Sequence, residues 1–149
     1  MATAHLLAAL PRRFFVMHDR RAPGARANID HLVIGPTGVW VIDSKSFRAH
    51  LRVRRGRVLA GSHDVDTGPV GAQAARVQAR FGCPVIAIVA VHGVGLRRRG
   101  KTVDGVRVLP APRVCRAIRN APRQLSGTDV AALIAVLDGA LVPAAGTYR

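Results

Sequence analysis

Three charged side chains surround one short turn: Asp30 precedes it, and Asp43 and Lys45 follow it. Segments 29–34 and 39–43 are rich in β-branched and aromatic residues, and Gly35-Pro36-Thr37-Gly38 between them predicts a β-hairpin. With Pro36 and Thr37 at the tip, Asp30 faces Asp43 across the hairpin. Because side chains alternate along a strand, Lys45 is expected on the same face as Asp43.

Facing carboxylates repel each other, and a protein keeps such a pair where a proton or a cation lies between them. Carboxylate oxygens suit Mg²⁺, with Mn²⁺ as an alternative, and Mg²⁺ also takes water and phosphate oxygens. A neighbouring lysine could orient or deprotonate the attacking water, or stabilise charge that develops on phosphorus. The residues therefore predict phosphodiester hydrolysis with Asp30 and Asp43 as metal ligands. The alternative from the residues alone is a solvated strand edge with a weak ion pair.

The charge of the chain indicates a polyanionic partner. Its 149 residues include 23 basic and 8 acidic side chains, for a formal net charge of +15. DNA is the expected partner, with RNA as an alternative and an anionic membrane surface as a weaker one. Only Lys45 and Lys101 are lysines, and no residue is glutamate. A genomic base composition that favours arginine codons explains most of the arginines, so a retained lysine beside an aspartate suggests a chemical role.

The arginines occur in clusters that fit phosphate contacts without base reading. An aromatic content of 4% argues against a platform on which bases stack. The predicted nucleic-acid-binding residues are Arg52, Arg54, Arg55, Arg76, Arg80, Arg97, Arg98 and Arg99.

The pattern along the chain predicts an α/β sandwich around a mixed sheet. It indicates one domain over 1–149, and the pattern is least clear in 110–149. Besides the hairpin, the predicted strands are 14–17, 51–59, 84–91 and 106–109. Four helices are predicted: 3–10, one that opens at Pro69, a short one in 112–119, and one from the Ser126 cap to Gly139. The apolar stripe of the second helix consists of Val70, Ala74, Val77 and Phe81. Basic loop 20–26 and polar loop 61–68 connect these elements. Trp40 is expected in the core.

The segment Asn28-Ile29-Asp30-His31-Leu32-Val33-Ile34-Gly35-Pro36-Thr37-Gly38-Val39-Trp40-Val41-Ile42-Asp43-Ser44-Lys45 resembles the core of the nuclease-related domain family. That family is placed in the PD-(D/E)xK restriction-endonuclease-like superfamily, and a looser similarity extends from about Leu6 to Val91. The resemblance implies a restriction-endonuclease-like core with a central mixed β-sheet flanked by helices. It also implies a metal-dependent endonuclease in which Asp30 and Asp43 bind metal, Lys45 is catalytic and Gln73 approaches the site.

One departure from the family pattern concerns a metal ligand. Members of the family commonly carry a Gly-Glu pair on the first helix, and the glutamate joins the site. This sequence begins Met1-Ala2-Thr3 and contains no glutamate, so either its start is truncated or this member lacks that ligand. Asp64 or Asp66 could replace it. The alternative function is a catalytically inactive nucleic-acid-binding or interaction module of the same fold.

The two cysteines, Cys83 and Cys115, are far apart in sequence and predict neither a disulfide scaffold nor a zinc site. The longest apolar run is too short to cross a bilayer, and the N-terminus lacks the order of a secretory signal. A cytoplasmic protein is therefore expected. The pattern does not specify an oligomeric state. His31 is expected to point away from the face that carries Asp30, in a structural role or one that supports the site.

Overall fold

The computed structural model describes residues 2–22 and 24–144. Met1, Pro23 and 145–149 lie outside the described residues. The ends of the predicted 1–149 domain and the proline of the predicted basic loop are among them. The helices are α1 (Thr3–Leu7), α2 (Gly68–Phe81), α3 (Val114–Asn120) and α4 (Gly127–Ala140), with a 3₁₀ turn at Ala111–Arg113. None of the helices within the described ranges is long and apolar enough to span a membrane.

The strands form one large mixed sheet and one small sheet. They are β1 (Phe15–Arg21), β2 (Ile29–Gly35), β3 (Gly38–Ser46), β4 (Leu51–Arg54), β5 (Arg57–Ala60), β6 (His63–Asp64), β7 (Val85–His92), β8 (Lys101–Val103), β9 (Val106–Pro110) and β10 (Val142–Pro143). The large sheet has the order β10-β1-β2-β3-β7-β9-β8, and the small one has the order β4-β5-β6. Strands β3, β7 and β9 are parallel, and the other pairs are antiparallel.

The predicted hairpin and its register are confirmed. Pairs His31–Ile42 through Gly35–Gly38 align β2 with β3. Gly38 has a φ of +131°, which a residue with a side chain rarely adopts. The tip is fixed to the neighbouring layer, because the Thr37 hydroxyl donates to the Ile118 carbonyl at 2.7 Å. The same hydroxyl accepts from Trp40 Nε1 at 3.2 Å, and Trp40 is buried as expected.

The sheet separates two hydrophobic layers, and alternation along the strands assigns side chains to them. Leu32 and Val41 face the layer that contains α2, α4 and the small sheet. Val33 and Ile42 face the layer that contains α1 and α3. Continued alternation places Asp30, Asp43 and Lys45 on the α2 side and His31 and Ser44 on the α1 side.

The predicted strand over 51–59 is wrong. The segment forms two antiparallel strands, β4 and β5, around a turn at Arg55 and Gly56, whose φ values are +50° and +76°. Such turns normally carry Asn or Asp before glycine. Because an arginine occupies that position here, the sequence pattern did not predict the turn. The sequence also missed β6, β8 and β10, which are two or three residues long and too short for a periodic signal.

The other expected elements differ mainly in their ends. Helix α2 opens at Gly68 with proline in its first turn, and α4 has the predicted capping box between Ser126 and Asp129. Helix α1 ends at Leu7 rather than near residue 10, and β1 continues to Arg21, into the predicted basic loop. The extension of β1 follows from its pairing with β2, which supplies hydrogen bonds that local sequence does not reveal.

Replacement of Thr37 with valine tests how firmly the hairpin tip is held. The change keeps the shape but leaves Trp40 Nε1 and the Ile118 carbonyl without their partner. We expect it to lower the free energy of unfolding by about 1–3 kcal/mol, the cost of unsatisfied buried groups. Urea unfolding measures this loss. Thr102→Val on the exposed face of β8 is the matched control, and an equal loss in both variants would contradict the role of Thr37.

Candidate active site

The end of the hairpin brings together Asp30, Asp43 and Lys45. Lys45 Nζ lies 3.2 Å from Asp43 Oδ2, and both side chains are partly exposed. Asp30 and Asp43 lie one residue beyond the last paired position of β2 and β3, His31–Ile42. The structure therefore places a carboxylate from each strand and one ammonium group on the same face of the sheet.

The two carboxyl groups influence each other directly. Burial raises the pKa of Asp43, a hydrogen bond to Asp30 and the Asp30 charge raise it further, and Lys45 opposes the shift. The net direction is upward because the charged form of Asp43 loses water and meets a second carboxylate. A proton or a cation between the two groups would relieve this repulsion.

Asp30 is held by the backbone of the opposite strand. The Ser44 amide donates to Asp30 Oδ2 at 3.1 Å, so this carboxylate takes the place of a backbone acceptor where the strands stop pairing. One strand of the hairpin therefore supplies both the second carboxylate and the amide that orients the first.

A chain of hydrogen bonds lies on the reverse face of the sheet, directly behind these carboxylates. His18 and His31 approach each other through their Nδ1 atoms at 2.8 Å, and His31 Nε2 lies 3.1 Å from Ser44 Oγ. Ser44 Oγ donates to Thr3 Oγ1 at 2.6 Å, and Thr3 Oγ1 lies 2.8 Å from His92 Nε2. With Ser44 as donor to Thr3, each group donates to the next from His18 to His92. The chain ties α1 to β1, β2, β3 and β7.

His31, in the middle of this hydrogen-bond chain, is uncharged at neutral pH. Burial, and then the charge of His18, lower the pKa of His31 to about 4, while Asp19 and Asp43 oppose the shift. His31 points away from Asp30, as the strand alternation predicts, and contacts Ser44 instead. Thr3 is 3% exposed, so α1 brings a buried hydroxyl rather than a carboxylate to this end of the sheet.

The remaining candidate ligands lie elsewhere. Gln73 Nε2 donates to the Asn28 carbonyl at 2.8 Å, so its hydrogen bond joins α2 to the chain just before β2, not to the carboxylates. Asp64 accepts from Arg57 at 3.2 Å, and Asp66 Oδ1 accepts from the Gly68 amide at 3.0 Å at the start of α2. Within 2–22 and 24–144, no cluster of three or more His, Cys, Asp or Glu side chains has metal-binding geometry.

The predicted nucleic-acid-binding arginines lie in exposed segments on several elements. Arg52, Arg54 and Arg55 are on the β4–β5 hairpin, Arg76 and Arg80 on α2, and Arg97, Arg98 and Arg99 in the loop after β7. Arg76 borders a groove of about 500 Å³ between α2 and residues 24–27, and Gln73 lines the same groove. Basic side chains are therefore present both near the start of β2 and beyond the ends of β3 and β7.

The fold and the site define a class of protein: an α/β domain with a seven-stranded mixed sheet and flanking helices, of the restriction-endonuclease-like kind. Residues 1–76, half of the chain, match the family model described as the nuclease-related domain. The chain belongs to the nuclease-related domain family. No curated protein and no solved structure matches it.

Sequence reasoning missed the contribution of Ser44, Thr3 and His92. Ser44 could have been assigned to the reverse face, since it alternates with Asp43 and Lys45. The Thr3–His92 contact spans 89 residues, and no periodic signal connects two such distant positions.

Replacement of Asp43 with asparagine tests the carboxylate pair. Because the folded pKa of Asp43 is raised, its ionisation destabilises the fold, and that penalty grows as pH rises through the raised value. In metal-free buffer at pH 7, we expect Asp43→Asn to raise the free energy of unfolding by about 0.5 kcal/mol, the size of one unfavourable cross-strand pair.

The matched control is Asp64→Asn, because Asp64 also has a cation at 3.2 Å. We expect no stabilisation there. Urea unfolding between pH 4 and 7, with a chelator present, measures both variants. Equal responses of the two variants would show that Asp30 and Asp43 do not repel each other.

Proposed function

We propose that this protein is a metal-dependent nuclease that hydrolyses phosphodiester bonds of DNA with little sequence preference. The observation that carries the proposal is the adjacent pair Asp30 and Asp43 with Lys45 Nζ at 3.2 Å from Asp43. Membership of the nuclease-related domain family supports the same class of activity.

The residues present fit a hard divalent cation. Two carboxylates with a raised pKa on Asp43 form an oxygen donor set that a cation would stabilise. Asp30 and Asp43 would hold Mg²⁺, with Mn²⁺ as an alternative. When bound, the cation would draw electron density from a phosphate oxygen and acidify water. The Ser44 amide donates to Asp30 Oδ2 and would help to orient this carboxylate for the cation.

Lys45 would act on the reacting phosphate. Its ammonium group donates to Asp43 and still has two N–H groups for other acceptors. It can therefore position the attacking water between itself and the carboxylate, or donate to a phosphate oxygen as negative charge develops. Gln73 would support the site from a distance, because its amide holds the backbone just before β2.

The distribution of charge supports a backbone-directed mode of DNA binding. The predicted arginines are exposed on the β4–β5 hairpin, on α2 and in the loop after β7. Exposed guanidinium groups on several elements suit phosphate contacts along a strand, which carry no sequence information. RNA offers the same phosphates and is the alternative substrate.

A second function is favoured by one observation on α1. This helix brings the Thr3 hydroxyl to the reverse face of the sheet, behind the site, and none of its five residues is a carboxylate that could join the site. With only two carboxylates, the protein could bind nucleic acid or another partner without cleaving it. Metal-dependent cleavage separates this inactive module from the enzyme.

We propose that the protein is cytoplasmic. Cys83 and Cys115 are both free thiols, and burial raises the pKa of each. Reducing conditions keep such thiols intact.

Cleavage of plasmid and linear DNA with and without Mg²⁺ tests the proposed activity. We expect Asp43→Asn to abolish cleavage and the melting shift that Mg²⁺ produces. Lys45→Arg retains the charge but changes shape and hydration, and we expect cleavage to fall by about 100-fold or more with DNA binding unchanged.

Arg116→Lys on the exposed face of α3 exchanges the same two residue types outside the site and serves as the control. If the parent protein shows neither a Mg²⁺-dependent melting shift nor cleavage, the inactive module is the correct function. If Lys45→Arg cleaves as well as the parent, the chemical role of Lys45 is wrong although the enzyme assignment stands.

The salt dependence of DNA affinity tests the phosphate-directed mode. Each neutralised phosphate releases counterions, so we expect affinity to fall by about three orders of magnitude between roughly 50 and 200 mM salt. Fluorescence anisotropy with labelled duplex DNA measures this slope. Asp43→Asn should show the same slope, because the arginines lie outside the site. A nearly flat dependence would rule out a polyanion-binding surface.

A further inference from the structure

A second concave feature lies beyond the ends of β3 and β7. It is a cavity of about 440 Å³ between the segment that enters β4 and the loop that follows β7. The residues that line it are His50, Leu51, Arg52, Val53, Gly95, Arg97, Gly100 and Lys101. The lining holds two arginines, one lysine and one histidine but no acidic side chain.

The charges in this cavity are not balanced by the protein. Arg52, Arg97 and Lys101 form no ion pair with any carboxylate in the described part of the chain. Arg52 makes a long contact of 3.5 Å from Nη2 to the Gly61 carbonyl, which leaves most of its N–H donors available. By contrast, the larger neighbouring cavity of about 820 Å³ contains Asp64, Asp66 and Asp104 together with Arg55 and Arg57.

The two walls of the cavity are firmly joined. The Leu51 amide donates to the Val94 carbonyl at 2.7 Å, and the Phe47 amide donates to the His92 carbonyl at 2.9 Å. A side chain on Gly95 would collide with the His50 ring, so the loop after β7 packs tightly against the segment before β4. The cavity is therefore a defined feature of the fold rather than a gap between loose loops.

The cavity lies at the same edge of the sheet as the candidate active site. Lys45 pairs with Val91 in the parallel β3–β7 ladder, and both walls begin within a few residues of that pair. Lys101 is one of only two lysines in the chain, and the other is Lys45.

We propose that this cavity, called here the basic pocket and defined by His50, Arg52, Arg97 and Lys101, binds a phosphate group of the nucleic-acid strand. Guanidinium groups match phosphate oxygens through paired hydrogen bonds, and the lysine adds a compact point charge. The inference deepens the proposed function and rests on it for the nature of the ligand. The phosphate is either an internal phosphodiester or the phosphate at a strand end.

Two double variants test the proposal. Arg97→Gln with Lys101→Gln removes two charges from the basic pocket, and Arg116→Gln with Arg123→Gln removes two exposed charges elsewhere. The probes are oligonucleotides labelled at the 3′ end, with either a 5′-phosphate or a 5′-hydroxyl group, in chelator without divalent metal. We expect the pocket variant to lose about tenfold more affinity than the control variant. Equal losses in the two variants would overturn the proposal.

The two probes identify the source of the phosphate. A loss confined to the 5′-phosphorylated strand assigns the pocket to a terminal phosphate, whereas an equal loss with both probes assigns it to an internal phosphodiester. Inorganic phosphate provides a second measurement, because it should raise the melting temperature of the parent but not that of the pocket variant. Equal stabilisation of both proteins would contradict the proposal.

Charge-preserving exchange, Arg97→Lys with Lys101→Arg, keeps both charges and controls for folding, and it should lose less affinity than the double glutamine variant. None of these measurements requires cleavage. Phosphate binding in the pocket without any nuclease activity would leave this inference intact and refute the proposed function. Cleavage that does not depend on the pocket would leave the proposed function intact and refute this inference.

Discussion

The register of the β2–β3 hairpin determines where every charged group of the candidate site lies. A shift of one residue would move Asp43 and Lys45 to the face that packs against α1, where they would replace Ile42 and Ser44. Buried residues on both faces oppose that shift, since it would expose apolar side chains and bury charged ones. The contacts of Thr37 fix the tip, so the arrangement of the far end follows from the turn.

Strand β3 contributes functional side chains to both faces of the sheet. Asp43 and Lys45 form the charged group on the α2 side, while the intervening Ser44 joins the hydrogen-bond chain on the α1 side. The Ser44 amide also orients Asp30. Helix α1 has only five residues and would not be stable alone, and the Thr3 contacts attach it to the end of the sheet. Support for the site thus comes from the layer behind it.

Unbalanced charge appears twice at this edge of the sheet, with opposite sign. Asp30 and Asp43 leave negative charge that Lys45 only partly offsets, and the basic pocket holds cations without a carboxylate partner. Each arrangement is costly for the isolated protein, because like charges brought together repel. A divalent cation at the carboxylates and a phosphate in the basic pocket would relieve both costs together. That complementarity suits a substrate that carries negative charge along its length.

The sequence by itself determined the hairpin, its register, the facing aspartates and the helices α2 and α4, because local turn chemistry, strand alternation and capping act over a few residues. It could not determine the Arg55-Gly56 turn, in which arginine occupies a position where Asn or Asp is usual, or strands β6 and β8, which pair with neighbouring segments but are too short for a periodic signal. Strand β10 is equally short and pairs with the distant strand β1. The Thr3–His92 contact and the basic pocket were equally hidden. Both join residues more than 40 positions apart, and only the folded sheet brings such positions together.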